Sequence, residues 1–180
     1  MGSWELISNF YERVIDDIEE LKTEYPFSSY YLPPPSENLL PVRIDTVAVC
    51  REVIERTNAS EKDFTGSFSK RIEVLVPSDY RERGCRIYGG SWIDVTKLSK
   101  RDCHFWSEKN GKFLFCVGVP KSFCGLKNVI LENVKTVENM LTGYELFQRG
   151  LSDEVGFKAY SHGLLGQKEY ERDLQRYNSK

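Results

Sequence analysis

The chain has 180 residues, 40% of them hydrophobic and 29% charged, with a formal net charge of −2. That is material for one domain with a sizeable apolar core. Lys and Arg are scattered in runs of no more than two, which excludes a basic field for nucleic acid or anionic lipid, and no apolar stretch is long enough to span a bilayer.

The N-terminal "MGSWELISNF" lacks the basic flank, apolar run and small-residue site of an export signal, and Leu6 breaks the myristoylation pattern. Residues 4 to 25 have helical spacing. Trp4, Ile7, Tyr11, Val14, Ile18, Leu21 and Tyr25 recur at three- and four-residue steps, and Pro26 ends the run. "FSSYYLPPPSENLLP" reads as an extended linker stiffened by three consecutive prolines. Two alternating runs follow. Val42, Ile44, Thr46 and Ala48 share one strand face, as do Ile72, Val74 and Val76, with "ERTNASEKDFTGS" as a polar turn region between them. "RIYGGSWIDV" is a third strand, bent at Gly89–Gly90, and "KFLFCVGVP" a shorter fourth. Helical spacing returns over 128 to 149 through Ile130, Val134, Val137, Leu141, Tyr144 and Phe147, and Gly150 closes it. The tail turns at His162–Gly163 and ends in a polar, charged helix. The expected architecture is α+β: an N-terminal helix, an antiparallel four-stranded meander and C-terminal helices. One domain is expected, with its core over about 4–150 and an extension over 151–180.

The five cysteines are Cys50, Cys85, Cys103, Cys116 and Cys124; no CxxC pair occurs, and they read as reduced thiols of a cytoplasmic protein. Cys50 and Cys85 fall in strand runs and read as core. In "GKFLFCVGVP", Phe113, Phe115, Val117 and Val119 share one face and Leu114, Cys116 and Gly118 the other. The pattern suits a thiol displayed at a strand end, with Gly118 leaving space beside the sulfur and Pro120 stopping further pairing. Free cysteine is also among the most buried residue types, so alternation alone does not separate display from packing.

The context of that thiol is more specific. "VPSDYRERGCRI", then "KNGKFLFCVGVP", then a helix from Asn128 resemble, in order and spacing, the ubiquitin-conjugating enzyme family. Its members carry a Phe-Pro-x-x-Tyr-Pro-like turn between strands, then a segment with the active cysteine and a helix behind it. "FLFCVGVP" and "SHGLLG" are similar to segments of the bacterial ubiquitin-conjugating-like proteins of antiphage islands, including the single-domain form of CBASS operons. Two departures stand out. No His-Pro-Asn triplet precedes the cysteine, leaving Asn110, six residues upstream, as the substitute for its oxyanion or loop role. Arg81 replaces the second proline after Tyr80.

The resemblance implies a ubiquitin-conjugating-enzyme-like fold, with Cys116 as the nucleophile that holds a protein C-terminus as a thioester. It implies that the cargo is the C-terminus of a cGAS-like nucleotidyltransferase, passed to a target protein or small amine. No phosphate-cradling Gly-rich loop is present, so any activation the cargo needs falls to another protein, and no cofactor or metal is expected. His162 is a candidate acid or base if "SHGLLG" folds back, and otherwise a turn residue. His104 in "RDCHFW" reads as a packing residue. Cys103, near Lys100 and Arg101, is the second candidate nucleophile, and Cys124 either pairs with Cys116 on oxidation or does nothing. Cys103, His104, Cys116 and Cys124 lack the spacing of a zinc knuckle. Two other functions fit the same residues: a non-catalytic scaffold of the same fold, and a hydrolase with a Cys116–His162 dyad.

Overall fold

The apolar stripe of the first segment forms α1, Ser3–Glu24, and buries Phe10, Val14, Ile18 and Leu21 on one face. The computed structural model describes residues 3–34, 39–57, 68–90, 93, 105–107, 111–118 and 122–152, with 168, 172 and 175. After α1 the chain forms β1 (Ser29–Tyr31), β2 (Val42–Val49), α2 (Arg51–Thr57) and β3 (Ser69–Val76). Then come α3 (Tyr80–Arg83), β4 (Arg86–Gly89), β5 (Phe105–Ser107), β6 (Phe113–Phe115) and α4 (Val129–Gln148). Lys168, Arg172 and Gln175 are helical and exposed, in keeping with a polar helical tail. Among the described residues, no helix is long and apolar enough to cross a membrane.

The α+β class, the N-terminal helix and the antiparallel sheet agree with the sequence reading. The strand count does not. Among the described residues the sheet has six strands in the order β1-β2-β3-β4-β6-β5, with every pair antiparallel. The expected four-stranded meander is its centre, β2-β3-β4-β6, and a short strand is added at each edge. β1 lies in the expected linker, where Ser29–Tyr31 pairs with Arg43–Asp45. β5 forms a hairpin with β6. Each has three residues, too few to show alternation, and is fixed by its partner strand.

Two further features are local. The polar turn after β2 begins inside α2, which runs to Thr57 and buries Val53 and Ile54. β4 ends at Gly89, where Gly90 adopts φ +76° and the Ile93 N–H bonds back to the Gly90 carbonyl at 2.8 Å; the rest of the expected third strand, Ile93 apart, lies outside the described residues.

The alternating rows of β2 and β3 bury Val42, Ile44, Thr46 and Ala48, and Ile72, Val74 and Val76. α4 contacts β2, β4, α1, α2 and α3. Its buried residues extend well beyond one stripe, as expected for a helix enclosed by neighbours. Asn128 caps it, accepting from the Leu131 N–H at 2.9 Å. At its other end Gly150, at φ +67°, lets the Leu151 N–H reach the Leu146 carbonyl and its own N–H reach Phe147, a Schellman closure.

Candidate active site

Cys116 follows the last paired residue of β6. Phe115 beside it is buried, Phe113 and Val117 pack against the core, and Leu114, Cys116 and Gly118 stay partly or fully exposed. Apolar anchors therefore lie on one side of the strand and the thiol on the other, as the alternation predicts. In the β4–β6 register Ile87 faces Phe115, the last paired residue before Cys116.

Burial pushes the Cys116 thiol above its ordinary value, and a hydrogen bond from the Gly118 backbone N–H offsets part of that rise. A protonated, half-buried thiol at neutral pH is less nucleophilic than a free one, so the sulfur needs a partner that takes its proton or fixes its geometry.

Gly118 is exposed, but a side chain does not fit there. A Cβ there would lie 2.8 Å from Phe123 Cζ and 2.8 Å from Ser122 Oγ, well inside the ~3.5 Å of ordinary carbon contact. The same ring edge fills the place of a side chain at Gly84, where a Cβ would lie 2.7 Å from Phe123 Cζ. Phe123 is 3% exposed and is wedged between these two glycines. Gly84 also has φ +79°, a conformation other residues adopt at a cost. The loop after Cys116 is thus pinned to the turn that follows α3.

That turn is itself held from behind. The Cys85 N–H donates to Asn133 Oδ1 of α4 at 2.7 Å. The Tyr80 hydroxyl donates to Asp17 Oδ2 of α1 at 2.5 Å, and burial with this hydrogen bond pushes its pKa up to about 12. Arg81, which stands where the resembling pattern has proline, places Nη2 3.0 Å from Asp17 Oδ2. Asn128 donates from Nδ2 to the Asp17 carbonyl at 2.8 Å. α1, the "PSDYR" turn and the start of α4 are therefore joined by one buried polar network.

Cys50 and Cys85 are buried, as expected of core thiols, while Cys124 is exposed. Burial raises the Cys50 thiol to about 11 and drives Cys85 higher still. His162, Asn110, Cys103 and His104 lie outside the described residues. Among the described residues, no group of three or more His, Cys, Asp and Glu is placed to hold a metal.

Sequence reasoning missed Asp17, Asn133 and Phe123. Asp17 had a readable signal: a carboxylate inside the stripe Phe10, Val14, Ile18, Leu21 must find a buried partner. Compared with protein-family models, curated proteins and solved structures, the chain matches none.

Proposed function

We propose that this protein is a ubiquitin-conjugating-like cysteine acyltransferase, with a ubiquitin-conjugating-enzyme-like fold and Cys116 as the thioester-forming residue. The observation that carries the proposal is the position of Cys116: directly after β6, half-buried, with core-packed neighbours behind it. The order of α1, the sheet, the "VPSDY" turn, the cysteine and α4 supports it. The sulfur attacks the activated carbonyl of a protein C-terminus and the activating group leaves. An amine then attacks the thioester, the thiol departs with the proton lost by the amine, and an amide remains. Backbone N–H groups beyond the cysteine are the natural donors to the oxyanion of both steps.

The cargo in this proposal is the C-terminus of a cGAS-like nucleotidyltransferase, in antiphage defence of the CBASS type, and the acceptor is a target protein or small amine. A cytoplasmic setting belongs to the same proposal, supported by cysteines that include no CxxC pair and would stay reduced there. The test is co-expression with the nucleotidyltransferase and an activating enzyme, followed by non-reducing electrophoresis and mass spectrometry. A reducible adduct at Cys116, lost in Cys116→Ser or converted there to a reduction-resistant ester, is expected. A reducible adduct that persists in Cys116→Ser sinks the proposal. Binding without adduct points to a scaffold, and conjugate cleavage dependent on His162 to a hydrolase.

A further inference from the structure

Phe123 lies in the loop between Cys116 and α4. Loop aromatics are usually anchors for the loop itself. This one makes two close approaches that only glycine permits, at positions 34 residues apart in the chain (118 − 84 = 34): its Cζ would lie 2.7 Å from a Cβ at Gly84 and 2.8 Å from one at Gly118. Gly84 is buried and continues into Cys85, whose N–H is fixed by Asn133 Oδ1 at 2.7 Å. α4 therefore fixes the turn, the turn presses on the ring, and the ring sets the backbone at Gly118.

We infer that Phe123 is a positioning residue for the Cys116 thiol: wedged between Gly84 and Gly118, it fixes the backbone two residues beyond the sulfur. That backbone carries the Gly118 N–H, which draws the thiol's pKa down against the rise caused by burial. A donor in this place stabilises thiolate over thiol, and it is the group on hand for an oxyanion at a carbonyl bonded to sulfur. Gly118 has a task in this arrangement, to admit the ring. The consequence for acyl transfer rests on the proposed function. The effect on the thiol itself does not, so the two fail separately.

The test is the pH profile of Cys116 alkylation by iodoacetamide, followed by peptide mapping, in wild type, Phe123→Leu, Gly118→Ala and the double variant. Phe123→Leu shortens the ring edge. It is expected to move the Cys116 midpoint to higher pH and slow alkylation at pH 7.5 by about 3- to 10-fold, one hydrogen bond's worth of thiolate stabilisation. Gly118→Ala alone is expected to lose thermal stability. The double variant is expected to regain some of it, because the leucine vacates the place of the new methyl, while its pH profile stays shifted. Val137→Ala, a core cut in α4, controls for general loosening and is expected to leave the profile in place. A folded Phe123→Leu with the wild-type profile overturns the inference.

A second measurement does not depend on folding of the clamp variants. In wild type the Gly118 amide is expected to exchange its hydrogen about 10-fold more slowly than in Cys116→Ala, which removes the acceptor and leaves Phe123 untouched. Equal exchange in the two proteins also overturns the inference.

Discussion

The Tyr80 hydroxyl donates to Asp17 Oδ2 at 2.5 Å, tying the turn after β3 to the middle of α1. The same carboxylate takes Arg81 Nη2 at 3.1 and 3.0 Å on its two oxygens. Asp17 is 6% exposed, so a charge on it depends on these donors. Tyr80→Phe removes one of them and leaves Arg81. The expected loss is about 1.5–3 kcal/mol, the range for a hydrogen bond to a charged group. Urea unfolding followed by circular dichroism reads it; a loss under about 0.5 kcal/mol would mean that Arg81 alone satisfies the carboxylate.

Asn128 performs two tasks with one side chain. Its Oδ1 caps α4 through the Leu131 N–H, and its Nδ2 reaches the Asp17 carbonyl at 2.8 Å. A cap alone contributes about 1 kcal/mol. The Asp17 carbonyl keeps its intrahelical donor, so the second bond adds about 0.5–1.5 kcal/mol and Asn128→Ala is expected to cost about 1.5–2.5 kcal/mol. Asn128→Ser keeps a capping oxygen but does not span to α1. Its measured stability should fall between wild type and Asn128→Ala, and equality with the alanine variant would refute the capping share.

Two buried thiols give the fold a definite alkaline limit. Cys50 is raised from 9.0 to about 11, with burial as the main cause, and Cys85 is raised further. Above pH 9 the unfolded chain releases these protons while the folded chain keeps them, so the unfolded state binds fewer protons and stability falls as pH rises. By linkage, each thiol removes about 1.4 kcal/mol by pH 10, and neither has any effect below about pH 8. Denaturation midpoints measured from pH 7 to 10 should show this decline. Cys50→Ala should remove its own share, about 1.4 kcal/mol by pH 10, at the cost of a lower plateau. A slope unchanged in that variant would contradict the assignment.

The large elements were legible because each buries a face with a regular period. Val42, Ile44, Thr46 and Ala48 read as one row, and all four are buried. Thr46 fits there because its hydroxyl lies 2.7 Å from Ser28 Oγ. The edge strands were not legible, since Ser29–Tyr31 and Phe105–Ser107 owe their conformation to β2 and β6 and not to their own residues. The candidate site divides the same way. Alternation put the phenylalanines of β6 on one side and Cys116 on the other. The role of Phe123 was invisible, because it depends on Gly84 and Gly118, which meet only in the folded chain. The tight fit of Phe123 at Gly118 was invisible for the same reason: a glycine in a strand-end run does not say what stands in the place of its missing side chain.

The described cysteines should separate by accessibility. Cys124 is exposed, Cys116 is half-buried, and Cys50 and Cys85 are 0% and 5% exposed. At pH 7.5 with a small alkylating reagent, Cys124 is expected to react first and Cys116 more slowly. Cys50 and Cys85 wait for unfolding, at least about 10³-fold slower if opening costs several kcal/mol. The Cys116 rate should also rise with pH beyond the range where an ordinary thiol levels off, because burial holds its proton. This order bears on mechanism. An acyltransferase whose thiol is slow towards a small reagent must gain its rate from a bound, oriented donor, through proximity and the Gly118 N–H, and not from intrinsic thiolate character. Time-resolved labelling with peptide mapping decides it. If Cys116 outpaces Cys124 at neutral pH, an activating group acts on the sulfur and the oriented-donor argument fails; if Cys116 labels only with Cys50 and Cys85, the thiol is packed and the acyl-transfer proposal falls with it.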